Sequence, residues 1–233
     1  MKKIGLIGGT GPEATVDYYK AIIDAFKDGS GEMDYPEIII YSVNLGKLMG
    51  FMRSGNYEGA IAYLSEAIAR LKDAGADFAA ITANTPHIFF DEINGQAGLP
   101  LISIAEVTRA EALRRNLKRP GLFGTGFTMD ASFYPDSFRL KGMEVVLPAK
   151  EDRELLHHKL FSEIELGIFK DETRELLIDV IGKMVQQQQI DSLILGCTEF
   201  PLILTGPFYH GIPMLNTTRI HVDALVAYCR QMP

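Results

Sequence analysis

The sequence predicts an α/β fold built from two pseudo-symmetric parallel-sheet domains. Short apolar runs alternate with longer segments of helical periodicity, which is typical of parallel strands connected by helices. The same order of segments occurs twice along the chain. With 233 residues, 47% of them hydrophobic, the chain is long enough to form two apolar cores.

The first half is predicted to alternate strand, helix, strand, helix and strand. Its apolar runs are short enough for buried strands, and the segments between them have the length of helices. In order, these elements are KIGLIG, residues 13–27, EIIIYSV, residues 56–74 and DFAAITA. LMGFM at 48–52 is more apolar than a typical loop, and we interpret it as a lid or a subunit contact.

The second half repeats the order of the first. It contains RPGLFGTG, a segment over 129–141, MEVVLPA, a helical pattern over 153–188, and DSLILGC. Equivalent landmarks are separated by nearly constant offsets: 116 from Gly5 to Gly121, 114 from Asp77 to Asp191, and 113 from Gly98 to Gly211. In the aspartate register, Ala83 takes the position that Cys197 has in the second half.

The repeat suggests how the domains divide the chain. We assign residues 1–98 and 206–233 to the first domain, because the last segment is expected to return to it, and residues 99–205 to the second. Open parallel sheets bind ligands at the carboxyl ends of their strands. We therefore expect the active site in the cleft between the two domains.

Charge and composition exclude several classes of partner. The chain has 23 Lys and Arg against 30 Asp and Glu, a net charge of −7, which argues against a nucleic-acid partner. Its first apolar run is too short for a signal peptide, and no run reaches the length of a membrane span. We expect a cytoplasmic protein without a membrane partner. Its two cysteines indicate neither a disulfide framework nor a metal site.

Four motifs, IGLIGGTGP, ANTPH, LILGCTE and TTRIH, occur in this order over nearly the whole chain. In this combination the sequence resembles the aspartate/glutamate racemase family, which interconverts amino-acid enantiomers without a cofactor. The resemblance implies an aspartate/glutamate racemase-like fold, a homodimer, no cofactor or metal, and a small amino acid or dicarboxylic acid as substrate.

Racemisation requires acid/base groups on both faces of the α-carbon. The resemblance implies one cysteine from each half, each tuned towards neutrality by loop amides, a helix N-terminus or a cation. Cys197 occupies the second position, whereas Ala83 occupies the first and cannot transfer a proton. A buried structural thiol is the alternative for Cys197, but its place at a strand-to-helix turn favours catalysis; Cys229, within a helical pattern, is interpreted as structural.

Three functions remain open because of Ala83. In the first, Thr82 or Thr85, with a bound water, relays a proton in a slow or one-sided racemase. In the second, Cys197 alone serves a single-cysteine isomerase or decarboxylase acting on a small carboxylic acid. In the third, the chain binds a small acid without turnover.

Candidate substrate contacts follow the predicted strands. Gly9, Gly11 and Ala14 match a dinucleotide loop, but the acidic residue expected after the second strand is missing. We interpret the loop as placing backbone amides and a hydroxyl at a polar substrate group, with a glycine turn kept for packing as the alternative. Helix capping is the alternative for Asn84, Thr85 and Thr198. The candidates are Thr10, Asn84, Thr85, Thr125, Thr128, Thr198, Glu199 and Thr217.

Seven further side chains are candidates for supporting or specificity roles. His87 could orient a neighbouring group, while His221 could anchor the closing helix. A distal carboxylate needs a cation, and the candidates are Lys47, with Arg53 as an alternative, and Lys170. A solvated surface charge is the favoured alternative for each. Tyr41 and Phe51 would instead favour a less polar substrate side chain.

Overall fold

A computed structural model describes residues 1–27 and 33–231. The chain forms two compact units, one of residues 1–104 and 218–233 and one of residues 105–217. Residues 28–32 and 232–233 of the predicted first domain lie outside the described residues.

The first unit is a parallel sheet with helices connecting its strands. Its sheet has the order β2-β1-β3. The central strand is buried along its whole length, and the edge strand β2 is partly exposed. In chain order, the elements are β1 (Ile4–Gly8), α1 (Pro12–Ala25), β2 (Ile38–Ser42), α2 (Leu45–Ser54), α3 (Tyr57–Asp73), β3 (Phe78–Ile81), a 3-10 turn (Thr85–Phe89) and α4 (Phe90–Asn94).

The second unit has the sheet order β4-β5-β7-β6, in which only β6 is antiparallel among the described strands. Its elements are α5 (Ile104–Arg114), β4 (Pro120–Gly124), α6 (Gly126–Asp130), α7 (Phe133–Arg139), α8 (Lys150–Ser162), a 3-10 turn (Ile164–Leu166), α9 (Asp171–Gln188), β5 (Ser192–Gly196), α10 (Phe200–Ile203), β6 (Phe208–Tyr209) and β7 (Ile212–Asn216). The closing helix α11 (Thr217–Arg230) returns to the first unit, where Val222 and Leu225 pack against the β1 residues Ile4 and Leu6.

Strand register in the two units follows the sequence repeat. Ile7 pairs with Ile81 in the first unit, and Phe123 pairs with Leu195 in the second. The offsets are 123 − 7 = 116 and 195 − 81 = 114, the same as those of the glycine and aspartate landmarks. Because the registers agree, Ala83 and Cys197 are equivalent positions. Ala83 is two residues after Ile81, and Cys197 is two residues after Leu195.

The two landmark aspartates also have the same structural role. Asp77 Oδ2 accepts a hydrogen bond from the backbone N–H of Lys3 at 2.6 Å, and Asp191 Oδ2 accepts one from Arg119 at 2.9 Å. Each carboxylate thereby joins the start of its strand to the start of the neighbouring strand. This shared contact explains why the aspartates repeat in the sequence.

The unit boundaries differ from the predicted 98/99 and 205/206. Leu101 bridges to Ala79 of β3, so the segment up to residue 104 remains with the first sheet. Met214 of β7 pairs with Leu193 of β5, so the segment up to residue 217 remains with the second. The chain changes unit only at the helices that follow: α5 belongs to the second unit and α11 to the first.

Three predicted elements are corrected. LMGFM is not a loop: it lies within α2, which is capped by the Asn44 side chain and buries Leu48 and Met52. In MEVVLPA, only Val146 forms a bridge, to Gly121, and no strand extends from it. The helical pattern over 153–188 is two helices, because α8 ends at Ser162 and α9 begins at Asp171.

Within the described part of the chain, every helix is too short or too polar to span a membrane.

Candidate active site

Cys197 follows the carboxyl end of β5, where the chain turns towards α10. The strand is buried throughout, and Gly196 is its last residue. A Cβ atom at Gly196 would lie 2.7 Å from the carbonyl oxygen of Phe123, so the close approach of β4 requires glycine here. This turn leaves the side chain of Cys197 93% buried, with 7% of its surface exposed.

The thiol of Cys197 contacts two carboxylates. Its Sγ donates a hydrogen bond to Oε2 of Glu199 at 2.9 Å and lies 3.9 Å from Oε1 of Glu165. The hydroxyl of Thr198 donates to the same Glu199 oxygen at 2.8 Å. Glu199, which the sequence analysis names as a candidate substrate contact, thus lies beside the thiol and accepts hydrogen bonds from Cys197 and Thr198.

The expectation that the pKa of Cys197 is tuned down towards neutrality is wrong for the structure described. Burial raises the pKa of the thiol well above its usual value, and the charges of Glu199 and Glu165 raise it further. The thiol is therefore protonated at neutral pH. Its neighbours are carboxyl groups where a cation was expected, so it resembles a proton donor more than a resting thiolate.

Glu165 is a site residue that the sequence analysis missed. It lies in the 3-10 turn between α8 and α9, within a stretch that was predicted to be helical. Burial raises the pKa of this carboxyl to about 7, and the charge of Glu199 contributes. No motif surrounds Glu165, and 32 residues separate it from Cys197, so no local signal in the sequence indicates the contact.

The same three residues are the part of the described chain that could hold a metal ion. One ligand atom each from Glu165, Cys197 and Glu199 lies within 4.8 Å of the other two. One sulfur and two carboxylate oxygens form a donor set that suits Zn²⁺. Assays of this site therefore need control of divalent metals.

Three threonines of the second unit bond to the backbone or to each other. Thr125 caps α6 by accepting the backbone N–H of Thr128 at 3.1 Å, and the two hydroxyls lie 3.1 Å apart. Thr217 donates to the carbonyl oxygen of Leu195 at 2.8 Å. Thr125 is thus a helix cap, a role the sequence analysis did not consider for it, and Thr217 supports the end of β5.

The equivalent strand end of the first unit contains Thr82, Ala83 and Asn84. Thr82 is fully buried, and its hydroxyl donates to the Ile7 carbonyl at 3.0 Å and lies 3.3 Å from the hydroxyl of Thr15. These contacts give Thr82 a structural role, and its part in a proton relay stays a prediction. Ala83 and Asn84 are 8% and 3% exposed, while Thr85 is half-buried at the start of its 3-10 turn.

Thr10 lies in the loop between β1 and α1. Gly9 adopts a φ of 78°, a left-handed conformation that favours glycine, and α1 begins at Pro12. The hydroxyl oxygen of Thr10 is buried and has no hydrogen-bond partner among the described residues. A ligand group could supply one, which agrees with its predicted role as a substrate contact.

His87 and His221 are structural. His87 Nε2 accepts the backbone N–H of Ile104, so its Nδ1–H donates to the Ala83 carbonyl at 2.9 Å. His221 Nε2 donates to the Ile102 carbonyl at 2.9 Å. Burial lowers the pKa of His87 to about 3 and that of His221 to about 4, so both remain neutral.

The two lysines proposed for a distal carboxylate have other partners. Lys170 is paired with Glu163 at 3.2 Å, and Glu163 also binds Lys159 at 2.6 Å. Lys47 lies 4.3 Å from the ring centre of Tyr63 in the first unit. Both lysines are largely exposed, which matches the surface-charge alternative.

Comparison with known proteins agrees with the four motifs. Residues 7–225 match the family model described as Asp/Glu/hydantoin racemase. The crystal structure of a candidate Asp/Glu racemase from Yersinia pestis has a TM-score of 0.90 and 34% identity, covering 99% of this chain and 100% of that one. An aspartate racemase homologue from Pyrococcus horikoshii OT3 has a TM-score of 0.84 and 36% identity, with the same coverage of each chain.

A curated relative extends the match to a named enzyme. The broad specificity amino-acid racemase RacX of Bacillus subtilis strain 168 is 24% identical over 218 residues, which cover 92% of each chain. The predicted α/β fold with parallel sheets is confirmed by the structural matches. Since the family model spans nearly the whole sequence, the chain belongs to the Asp/Glu/hydantoin racemase family.

Proposed function

We propose that this protein is a cofactor-independent amino-acid racemase-like enzyme in which Cys197 transfers the α-proton, and that its turnover is slow or one-sided. The observation that carries the proposal is the hydrogen bond of 2.9 Å from the Cys197 thiol to Glu199. Family membership supports the reaction class. The position and contacts of the thiol support the choice of residue.

The Cys197–Glu199 pair can move a proton in either direction. As an acid, the protonated thiol donates its proton to a substrate carbanion and leaves a thiolate. As a base, the sulfur first passes its proton to the Glu199 carboxylate and then accepts the α-proton of the substrate. In both cases the proton that one group loses is gained by another, so no further reactant is required.

The alanine at position 83 supports the one-sided character. A racemase needs an acid/base group on each face of the α-carbon, and the repeat assigns Ala83 to the position opposite Cys197. Its methyl group has no exchangeable proton. The hydroxyl of Thr82 donates to the carbonyl of Ile7, and a proton relay through Thr82 or Thr85 with a bound water stays a prediction.

A second candidate function follows from the same alanine. A site with one proton-transferring thiol suits a single-base isomerase or decarboxylase acting on a small carboxylic acid. Such an enzyme would use Cys197 to return a proton to the face from which a proton or carbon dioxide had left. The choice of aspartate or glutamate as substrate, a homodimer and a cytoplasmic location stay predictions.

Solvent exchange tests the proposal and separates the candidates. The protein is incubated in deuterated water with single-enantiomer amino acids, and deuterium at the α-carbon and optical rotation are measured together. Exchange with inversion supports racemisation, exchange with retention supports a single base, and carbon dioxide release identifies a decarboxylase. Binding without any exchange or product would contradict catalysis.

Two cysteine variants identify the responsible residue. Cys197→Ser should reduce exchange by at least about 100-fold, because a serine hydroxyl is a far weaker acid and base than a thiol. Cys229→Ser is the matched control, since Cys229 is also buried but bonds to the Lys2 carbonyl in the first unit. Full exchange by Cys197→Ser would show that another group transfers the proton.

A further inference from the structure

His87 closes the turn that follows β3. Its backbone N–H donates to the Asn84 carbonyl at 2.9 Å, and its Nδ1–H donates to the Ala83 carbonyl at 2.9 Å. In a 3-10 turn, a backbone hydrogen bond to the Ala83 carbonyl would come from residue 86, but Pro86 has no N–H. The imidazole therefore supplies a hydrogen bond that the main chain of this turn cannot make.

The other ring nitrogen of His87 contacts a segment 17 residues further along the chain. Nε2 accepts the backbone N–H of Ile104 at 3.1 Å, and Ile104 is the first residue of α5. The first N–H groups of a helix have no acceptor within that helix, so an acceptor from a side chain caps it. One imidazole thus joins the Ala83 carbonyl, at the position equivalent to Cys197, to the start of α5.

This arrangement requires one tautomer of a neutral ring. The Ala83 carbonyl can only accept and the Ile104 N–H can only donate, so the proton of the imidazole must be on Nδ1. His87 is 2% exposed, and burial lowers its pKa to about 3, with the nearby His221 contributing. Phe90 stacks on the imidazole, with ring centroids 5.2 Å apart and planes 5° from parallel, which fixes the orientation of the ring.

His221 provides a comparison within the same unit. Its Nε2–H donates to the Ile102 carbonyl at 2.9 Å, so its Nδ1 accepts the hydroxyl hydrogen of Tyr18 at 2.9 Å. It is also buried and neutral, but it has the opposite tautomer. Its two partners lie in α1 and in the segment before α5, whereas one partner of His87 is at the strand end itself.

We propose that His87 is a positioning residue that holds the backbone of residues 83–85 in the conformation that binds substrate. The proposal rests on the proposed function, because this segment contains the predicted substrate contacts Asn84 and Thr85. His87 acts through the backbone that it holds and does not itself touch the substrate. Since the thiol of Cys197 belongs to the second unit, loss of His87 should weaken substrate binding more than it slows proton transfer.

Matched substitutions of the two histidines separate positioning from stability. His87→Phe keeps an aromatic ring beside Phe90 but removes both hydrogen bonds, and His221→Phe makes the same change at the control position. The assay is α-deuterium exchange of the amino acid that the wild-type protein exchanges fastest. We expect His87→Phe to raise KM by at least about tenfold and to change kcat by less than about threefold.

The control sets the outcome that contradicts the proposal. His221→Phe should leave KM and kcat within about threefold of the wild-type values, once rates are corrected for the folded fraction. Both variants lose two buried hydrogen bonds, so both should be less stable. Equal increases of KM in the two variants would overturn the positioning role, because the effect would then follow from stability alone.

His87→Gln is the conservative variant, and it can be used if His87→Phe does not fold. The glutamine amide has an N–H donor and an oxygen acceptor, so it can replace the bonds to Ala83 and Ile104 in part. Its KM should lie between those of the wild type and His87→Phe, and above that of His221→Gln. A KM for His87→Gln no higher than that of His221→Gln, in the absence of a folded His87→Phe, would contradict the proposal.

Two measurements need no substrate and keep this proposal distinguishable from the proposed function. Nitrogen-15 NMR of histidine-labelled protein should show the proton on Nδ1 of His87 and on Nε2 of His221. Amide hydrogen exchange of Ile104 should be at least about tenfold faster in His87→Phe than in His221→Phe, because its acceptor is gone. The reverse tautomer of His87, or unchanged exchange at Ile104, would overturn the proposal even if Cys197 proves to be the catalytic residue.

A binding measurement applies if the wild-type protein turns over no amino acid, which would contradict the proposed function. Calorimetric titration with L-glutamate and L-aspartate then replaces KM. Weaker binding by His87→Phe than by His221→Phe supports the positioning role without catalysis. Equal binding by the two variants, or no binding by the wild-type protein, would overturn it.

Discussion

The two units end equivalent strands in different ways. In the first unit, β3 is followed by Thr82, Ala83 and Asn84, and the Thr82 hydroxyl bonds to the carbonyl of the neighbouring strand. In the second, Gly196 ends β5 and is followed by Cys197, whose thiol bonds to Glu199. The shared register shows that the backbone positions match, so the difference is one of side chains.

The polar groups at the two strand ends differ in kind: the first unit has a hydroxyl bonded to the backbone, and the second has a titratable thiol. The first strand end places its hydroxyl in a network that stabilises the sheet, and its next residue has no titratable group. In the second unit, Gly196 takes the place of Thr82 and has no side chain. The next residue, Cys197, has a thiol in contact with two carboxylates. The repeat thus provides one scaffold twice, whereas the thiol and its two carboxyl neighbours lie in the second unit.

The largest expected effect comes from Gly196→Ala. A Cβ atom there would lie 2.7 Å from the Phe123 carbonyl oxygen, which is backbone and cannot move aside without disturbing β4. We expect the free energy of unfolding to fall by about 3 kcal/mol or more, in the range of severe overpacking. Chemical denaturation measures it, and an unchanged midpoint would show that the strand end tolerates a side chain.

Glu165→Gln should produce a pH-dependent gain in stability. Because the pKa of Glu165 is raised to about 7 from an ordinary 4.5, its protonated form stabilises the fold below pH 4.5, and this contribution is lost as the pH rises through 7. Neutral glutamine avoids the loss, so the variant should gain about 1–3 kcal/mol at pH 8 and little at pH 4. Denaturation at the two pH values tests this, and an equal effect at both would contradict the raised pKa.

Ala83→Cys should make the two strand ends chemically alike. If the missing thiol limits turnover, the rate of two-way racemisation should rise by about tenfold, equivalent to about 1.4 kcal/mol in the barrier. The measurement is optical rotation starting from each enantiomer separately. Ala83→Ser is the size-matched control, and a cysteine variant no faster than wild type would assign the limitation to another step.

Thr82→Val is expected to have the smallest effect. It keeps the shape of the side chain but removes the hydrogen bond to Ile7, and should lower the free energy of unfolding by about 1 kcal/mol. Exchange activity should scale with the folded fraction alone. A specific loss of activity in fully folded variant protein would support a proton relay through Thr82.

Some residues of the candidate site can be predicted from local sequence patterns, and others cannot. Cys197 was identified because a glycine, a thiol and a polar pair follow an apolar run, and such a turn is visible in a few adjacent residues. Glu165 was not identified, because its contact with Cys197 depends on where the 3-10 turn after α8 lies. The expected direction of the thiol pKa was wrong because burial and the surrounding charges depend on such distant neighbours.

The sequence by itself determined the alternation of strands and helices, the two-fold repeat and the equivalence of Ala83 with Cys197. These features follow from the order and spacing of apolar residues, which can be recognised in each segment without knowing its distant neighbours. Only the tertiary structure decided that the segments at 99–104 and 206–217 stay with the sheets they extend, that Thr82 and both buried histidines are structural, and that two glutamates lie beside the thiol. Those outcomes depend on packing and burial between residues far apart in the chain, which the spacing of neighbouring residues does not encode.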